Sequence, residues 1–467
     1  MSVETIDLVR DTTMQQIAKS VAAIAANTGG YNISNFKDVQ AIVRAGLAPH
    51  FFHIGDQIIA EKESAITATV GNTEGETPGI SAAAVTAETF IAAIGVVHSA
   101  DYEFIYDGAE WHFNGEAIQL STYGIAVTGT PIHGDAVIVH ETAAKLVWDV
   151  IGIDEETPTD TQFTHSLTLG LHDCFAELQY DNREALFAFP NGLAAGEYHF
   201  TISAQPWYAG DVGKTVSFTL ASAIPAGGQL VVNNGNNATM IGSTISSFAS
   251  GSATTAIETT SMSEGSSGTD LGSVANALSE DGNTNSIQRA LLGSNNWAES
   301  AMRQYLNSAA AAGSVWTPQT KFDRLPSWGT NTPGFLNNVD PEFVSVLGRV
   351  NKVTALNTVT DGGDKEVKPE KVFLLSRSEV YAGDEVAGGE GAPYSYYKNY
   401  SDLNAPGTGA DKNRIKYRNG AAKYWWLRSP VASSAHDVRS VTPTGTLYYY
   451  DYGASYPCGV APACVIV

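Results

Sequence analysis

The chain is short of positive charge. Over 467 residues it carries 26 Lys and Arg against 49 Asp and Glu, a formal net charge of −23. Proteins that track nucleic-acid phosphates or lie on anionic bilayers need basic patches, so neither nucleic acid nor a membrane surface is expected as a partner. Cysteine is nearly missing as well. Cys174, Cys458 and Cys464 are too few for a disulfide framework and lack the paired spacing of a zinc site. No run of about 18 apolar residues occurs, so no membrane span is expected. No basic start followed by an apolar stretch opens the chain, so no secretion signal is expected either. Enzyme signatures are absent: there is no G-x-S-x-G elbow, P-loop, G-x-G-x-x-G after a strand, or H-E-x-x-H. Carboxylate pairs abound in so acidic a chain, and none stands out as an acid/base dyad. No catalytic residue, cofactor or metal site is therefore assigned.

What is present supports a large folded protein. Apolar residues make up 43% of the chain, enough to exclude global disorder. At about 150 residues per domain the length suggests two to four domains. Only 16% of residues are charged, so Ser, Thr, Asn and Gly must keep the surface wet.

Residues 1–33 read as a helix with Met14, Ile17, Val21 and Ile24 on a/d spacing. Two readings stand: an amphipathic helix packed on its own chain, or a short oligomerising coil. A second helix follows Ser34, with Val39, Ile42 and Val43 as its stripe and Gly46 beyond its end. His53–Ile59 and Lys145–Ile153 read as strands that can pair as one hairpin. Residues 64–142 between them are rich in Ala, Thr, Val and Gly, and form a small β-rich module inserted at the hairpin tip. Within it, Asp107-Gly108 and Asn114-Gly115 are hairpin turns. Strands are expected at 164–172, 198–203 and 215–220, and loop at 241–270, where Gly, Ser and Thr predominate. A helix over 297–306 is capped by Asn296, and another starts at Asp340-Pro341. Val372–Leu375 is a buried strand. The chain closes with short strands at 424–428, 438–442, 446–450 and 460–466. His165 and His172 fall on opposite faces of a strand, which favours hydrogen-bonded structural roles over a ligand set with Asp173 and Cys174.

The C-terminus is unusual. Tyr424-Trp425-Trp426-Leu427-Arg428-Ser429-Pro430 is dense in large aromatics, which ordinarily anchor a core, and Arg428 has the forked donors to tie a loop to it. Further on, Leu447-Tyr448-Tyr449-Tyr450-Asp451-Tyr452-Gly453-Ala454-Ser455-Tyr456 breaks strand alternation. Its Tyr, Ser, Gly, Ala and Asp composition is that of a paratope, in which rigid aromatics supply contact area at small entropy cost. The other reading is a Tyr-rich strand edge packed on a neighbour.

These residues carry a resemblance. The Trp-Trp-Leu-Arg-Ser-Pro lead, Val438-Arg439, Gly445-Thr446-Leu447, Gly459-Val460 and Pro462-Ala463 are similar to the variable proteins of diversity-generating retroelements, which use a C-type lectin fold of the formylglycine-generating-enzyme-like branch. In that family a template encodes many asparagines, and adenine-directed mutagenesis replaces them while a framework stays fixed. Ser433, Ser434, His436, Asp437, Ser440, Tyr448, Tyr449, Tyr450, Asp451, Tyr452, Ser455, Tyr456 and Cys458 are all reachable from an Asn codon through its adenines; Thr442 and Pro457 are further candidates. The upstream segments Leu146–Ile153, Thr164–Asp173 and Ser294–Asn307 also match, and the 64–142 module resembles small β modules attached to phage structural proteins.

The resemblance implies an α+β architecture: a C-type-lectin-like ligand-binding domain over 34–63 and 143–467, interrupted by the 64–142 module, preceded by the helix, with a variable region over 424–467. It implies a non-enzymatic receptor-binding protein, in phages at the tail tip of the virion and in cells on the bacterial surface. The partner would be a protein or glycan receptor on a bacterium. Phage members are commonly trimers, so a homo-oligomer is expected. The thirteen residues from Ser433 to Cys458 named above would form the ligand-binding surface, with the tyrosines as anchors. The chain departs from the wider family in two respects. It lacks the calcium-binding triplets of sugar-binding lectins, such as Glu-Pro-Asn, and the cysteine pair of the oxidase branch. An oxidase of that branch, or a structural virion protein whose tyrosines make subunit contacts, are the alternatives.

Overall fold

The computed structural model describes residues 35–94, 100–204, 211–233, 244–249, 256–261, 263–447 and 452–467. The helix expected over 1–33 and the candidate residues Tyr448, Tyr449, Tyr450 and Asp451 lie outside them. The described chain mixes α and β, with strands predominating. It divides into two compact units. The first takes the described residues of Met1–His50, with Asp56–Trp148 and Leu336–Leu347; the second takes Phe51–Gly55, Asp149–Phe335 and Gly348–Val467.

In the first unit, helix Phe36–Arg44 is capped by Asn35, whose side chain accepts from the Asp38 amide, one residue later than Ser34 would place it. Its Phe36 ring meets Phe343 edge-on at 5.0 Å, on helix Pro341–Val346, where Asp340 caps and Pro341 occupies the first turn. Two long strands, Gln57–Asn72 and Asp135–Ile153, pair with each other, and the 64–142 module grows from that hairpin. The expected strand at 53–59 starts only at Gln57 and runs straight on into the module. This continuity, together with the Phe36–Phe343 contact, joins residues 35–50 and 56–63 to the module's unit and not to the C-terminal one. Ala100–Tyr106, Trp111–Phe113 and Glu116–Ile118 form a meander through the two expected turns, with Asn114 and Gly115 both at positive φ (52° and 84°). Helix Ala87–Ile94, which strand alternation does not announce, buries Phe90 against Phe104 at the module's centre.

In the second unit, two four-stranded sheets enclose a core of Phe200, Val216, Phe218, Leu230 and Val232, closed by helix Ile287–Leu292. The segment 241–270, expected as loop, supplies strands Thr244–Ala249, Ala256–Ser261, Ser263–Glu264 and the start of Thr269–Val274. Thr244–Ala249 pairs with Gly228–Asn233 and with Ala256–Ser261, Ser263–Glu264 with Thr215–Leu220, and Thr269–Val274 with Gly196–Ile202, so backbone pairing makes these strands without an apolar signature in the sequence. Helix Ala301–Leu306 begins later than expected: Asn296 accepts from Glu299 in the preceding turn, and Ser300 is the cap, accepting from the Arg303 amide.

The C-terminal block builds a five-stranded sheet in the order Tyr452–Gly453, Asp437–Val441, Trp425–Pro430, Pro457–Val460, Ala176–Gln179. Behind it Ala463–Ile466 lies between Val372–Phe373 and Leu167–Leu171. The strand expected over 446–450 is, in its described part, a single bridge from Leu447 to Val441.

Candidate functional site

Strand Trp425–Pro430 is buried along its whole length. Trp425 donates its indole N–H to the Arg414 carbonyl (2.8 Å) and Trp426 to that of Leu178 (3.0 Å), so each ring fills core volume with its polar edge satisfied. Arg428 makes a two-pronged pair with Glu379 (2.5 and 2.8 Å) and also donates to the carbonyls of Val353, Leu374 and Glu390. Burial alone would raise the Glu379 carboxyl, but Arg428 and Lys352 outweigh it and hold it down at about 2. This is the loop-to-core tie anticipated from the guanidinium fork.

Two framework glycines are set by close approach. A Cβ on Gly459 would stand 2.6 Å from the Cys174 sulfur and 2.7 Å from the Tyr424 carbonyl oxygen. One on Gly445, whose φ is 76°, would stand 1.9 Å from the Asp411 carbonyl oxygen.

Between strands Trp425–Pro430 and Asp437–Val441 the chain turns through 431–436. The Val431 amide donates to the Asp437 carbonyl (2.8 Å), and the Ser434 hydroxyl accepts from the amides of His436 and Asp437. Asn295 donates to the carbonyls of Ser434 (2.7 Å) and Asp437 (2.9 Å). Arg439 grips Glu385 with two bonds (2.8 and 2.9 Å), and the same carboxylate accepts from the Ala432 amide.

The candidate residues separate by exposure. Ser433 and Tyr456 face outward, Tyr456 with 40% of its surface accessible. Ser434, His436, Asp437, Ser440, Ser455 and Cys458 are buried, which corrects the expectation that they lie on an open surface. The reason is that the sheet is covered on both faces. His436 pairs with Asp437 at 3.0 Å inside the turn, Ser440 is 1% exposed, and Cys458 sits in the strand register opposite Leu178. Tyr452 contributes its backbone to the sheet edge beside Val438. Outside this set, Leu325 also stands 40% exposed. Gln179 joins the segment just before Tyr456 to the one just after Leu325: it donates to the Ser455 carbonyl and accepts from the hydroxyl of Ser327. Nothing in the sequence marks Leu325 or Gln179, because the link is made by chain segments far apart.

All three thiols are buried. Burial pushes Cys174 up to about 12 and raises Cys458 and Cys464 as well. His165 pairs with Asp154 (3.1 Å) and His172 with Asp149 (2.8 Å), so the two imidazoles serve separate carboxylates. Among the described residues no three His, Cys, Asp or Glu side chains converge to hold a metal ion.

A family model described as a domain of unknown function (DUF6273) matches residues 273–467, so the chain is similar to that family over helix Ile287–Leu292, the buried aromatic strand and the rest of the C-terminal block. No curated protein and no solved structure matches the chain.

Proposed function

We propose that this is a ligand-binding protein whose C-terminal block is a diversified recognition surface on a C-type-lectin-like scaffold, of the kind that phages carry at the tail tip to bind a protein or glycan receptor on a bacterium. The observation that carries this reading is the interleaving within 424–467. Residues that cannot change without loss of packing or backbone clearance (Trp425, Trp426, Arg428, Gly445, Gly459) alternate with residues reachable from Asn codons, and Ser433 and Tyr456 among the latter face outward. A rigid frame carrying exchangeable outward side chains suits recognition more than chemistry. The surface is therefore assigned to Ser433 and Tyr456, to which the resemblance adds Tyr448, Tyr449, Tyr450, Asp451 and Tyr452. The buried candidates Ser434, His436, Asp437, Ser440, Ser455 and Cys458 would act through the shape of the turn and strand beneath.

An oxidase reading requires thiols that ionise and meet substrate. Burial of all three, with their proton affinities pushed up, speaks for the non-catalytic reading. The test is the DNA downstream of the gene. A near-copy of the 424–467 coding region that differs only at adenines, beside a reverse transcriptase, is the expected result. Its absence would put the structural virion protein ahead.

A further inference from the structure

Beneath the 431–437 turn lies a buried ionic cluster of uneven charge. Arg289, 3% exposed on helix Ile287–Leu292, is its one guanidinium. It donates to Asp361 at 2.6 Å and faces Glu299 at 3.8 Å and Glu184 at 3.9 Å. Asp323, from the loop at 319–323, and Glu299 add negative charge to Glu184; Glu366, on strand Lys365–Glu370, adds it to Glu299; and Asp181, from the turn after strand Ala176–Gln179, has its own carboxyl pushed well up by burial and by Asp323 and Glu184. One oxygen of Glu184 accepts from Asn285 (2.6 Å), while the other, which faces Arg289, accepts no hydrogen bond.

A continuous chain of bonds runs from this cluster to the turn. The second Asp361 oxygen accepts from Asn357 (2.7 Å), Asn357 donates to Asn295 (2.8 Å), and Asn295 holds the carbonyls of Ser434 and Asp437. The same 357–361 loop binds the Ala432 carbonyl through the Thr358 amide (2.8 Å). A second arm starts beside Arg289: the Gln288 side chain accepts from the Ala435 amide (3.1 Å).

We propose that Glu184 and Asp361 compete for Arg289, so that loss of the Glu184 proton draws the guanidinium from Asp361 and loosens the 431–437 turn. The turn is tight when Glu184 is neutral and looser when it is ionised. Burial, only partly offset by Arg289, pushes the Glu184 carboxyl up to about 7, so the exchange falls in the neutral range. The clamp stands on the bonds just given; its bearing on recognition rests on the surface reading above.

The test needs no ligand. Amide hydrogen exchange of the full chain is followed on peptides covering 431–441 from about pH 5.5 to 8.5, with times scaled for intrinsic exchange. In the wild type, protection of the turn should fall about tenfold across this range. In Glu184→Gln, which keeps the acceptor for Asn285, the fall should vanish. In Asp361→Asn, which weakens the bond to Arg289, protection should be low and flat. A flat wild-type profile, or an unchanged fall in Glu184→Gln, overturns the proposal. Should Glu184→Gln fail to fold, a wild-type fall retained in Asp361→Asn overturns it alone.

Discussion

Arg428 and Glu379 face each other through two parallel hydrogen bonds of 2.5 and 2.8 Å, with both side chains almost wholly removed from water. The pair joins the aromatic strand to the segment after Val372–Phe373, and Lys352 makes a second ion pair with the same carboxylate at 2.5 Å. Removing one member would strand a buried charge. Arg428→Leu or Glu379→Leu should each lower unfolding free energy by about 3–5 kcal/mol, read by urea denaturation.

The same pair sets an acid limit. The folded-state carboxyl of Glu379 is held at about 2, below its ordinary value. Its contribution is therefore complete above about pH 4.5 and is lost as pH falls from there through about 2. Melting temperature should drop through this window, and Glu379→Gln should remove that part of the drop while being less stable at neutral pH. A wild-type and mutant pair with parallel acid profiles would contradict the assignment.

Glu184 has the opposite sign. Its carboxyl is raised to about 7 in the folded state, so the fold holds this proton more firmly than the unfolded chain. The associated stability is fully present below about pH 4.5 and is lost as pH rises through about 7, an effect on the order of 3 kcal/mol. Denaturation midpoints should decline from about pH 5 to pH 8. Glu184→Gln should flatten that decline and be the more stable protein at pH 8.

The thiols supply a check on the non-catalytic reading. Cys174, Cys458 and Cys464 are each 5% exposed or less, and burial disfavours their thiolates. A thiol-specific aromatic disulfide reagent should modify none of them in the native protein and all of them in guanidinium. Rapid reaction of one thiol in the native state would reopen the oxidase reading.

Local chemistry made part of this structure legible in the sequence. The Asp107-Gly108 and Asn114-Gly115 turns, the Asp340-Pro341 helix start and the fork of Arg428 each depend on neighbours in sequence or on the chemistry of one side chain. What was not legible depends on distant segments. The strands at 244–249 and 256–261 have ordinary Ser- and Thr-rich composition, and pairing alone makes them strands. Residues 56–63 read as part of the C-terminal domain until the strand Gln57–Asn72 is seen to continue into the module. Ser440 and Cys458 read as surface residues because small polar side chains do not reveal that the sheet is covered on both faces. The carboxylates around Arg289 come from stretches near 181–184, 299, 323 and 361–366, and an acidic chain gives no hint of which will meet.

That covering of the sheet limits what the C-terminal block can tolerate. Tyr456 is 40% exposed, so Tyr456→Ala, →Ser or →Asp should change unfolding free energy by less than about 0.5 kcal/mol. Ser433, also outward, should behave alike. Ser440 is 1% exposed in strand Asp437–Val441 and Cys458 is 2% exposed opposite Leu178. Placing Tyr at either position forces a large ring into filled volume, and each should cost about 1–3 kcal/mol or more. If the block is diversified, a library made by randomising the adenines of Asn codons at all thirteen candidate positions and selected only for soluble expression should stay broad at 433 and 456. It should narrow to small residues at 440 and 458. Equal breadth at all four positions would mean that the buried positions yield readily, and the division between outward and supporting residues would be wrong.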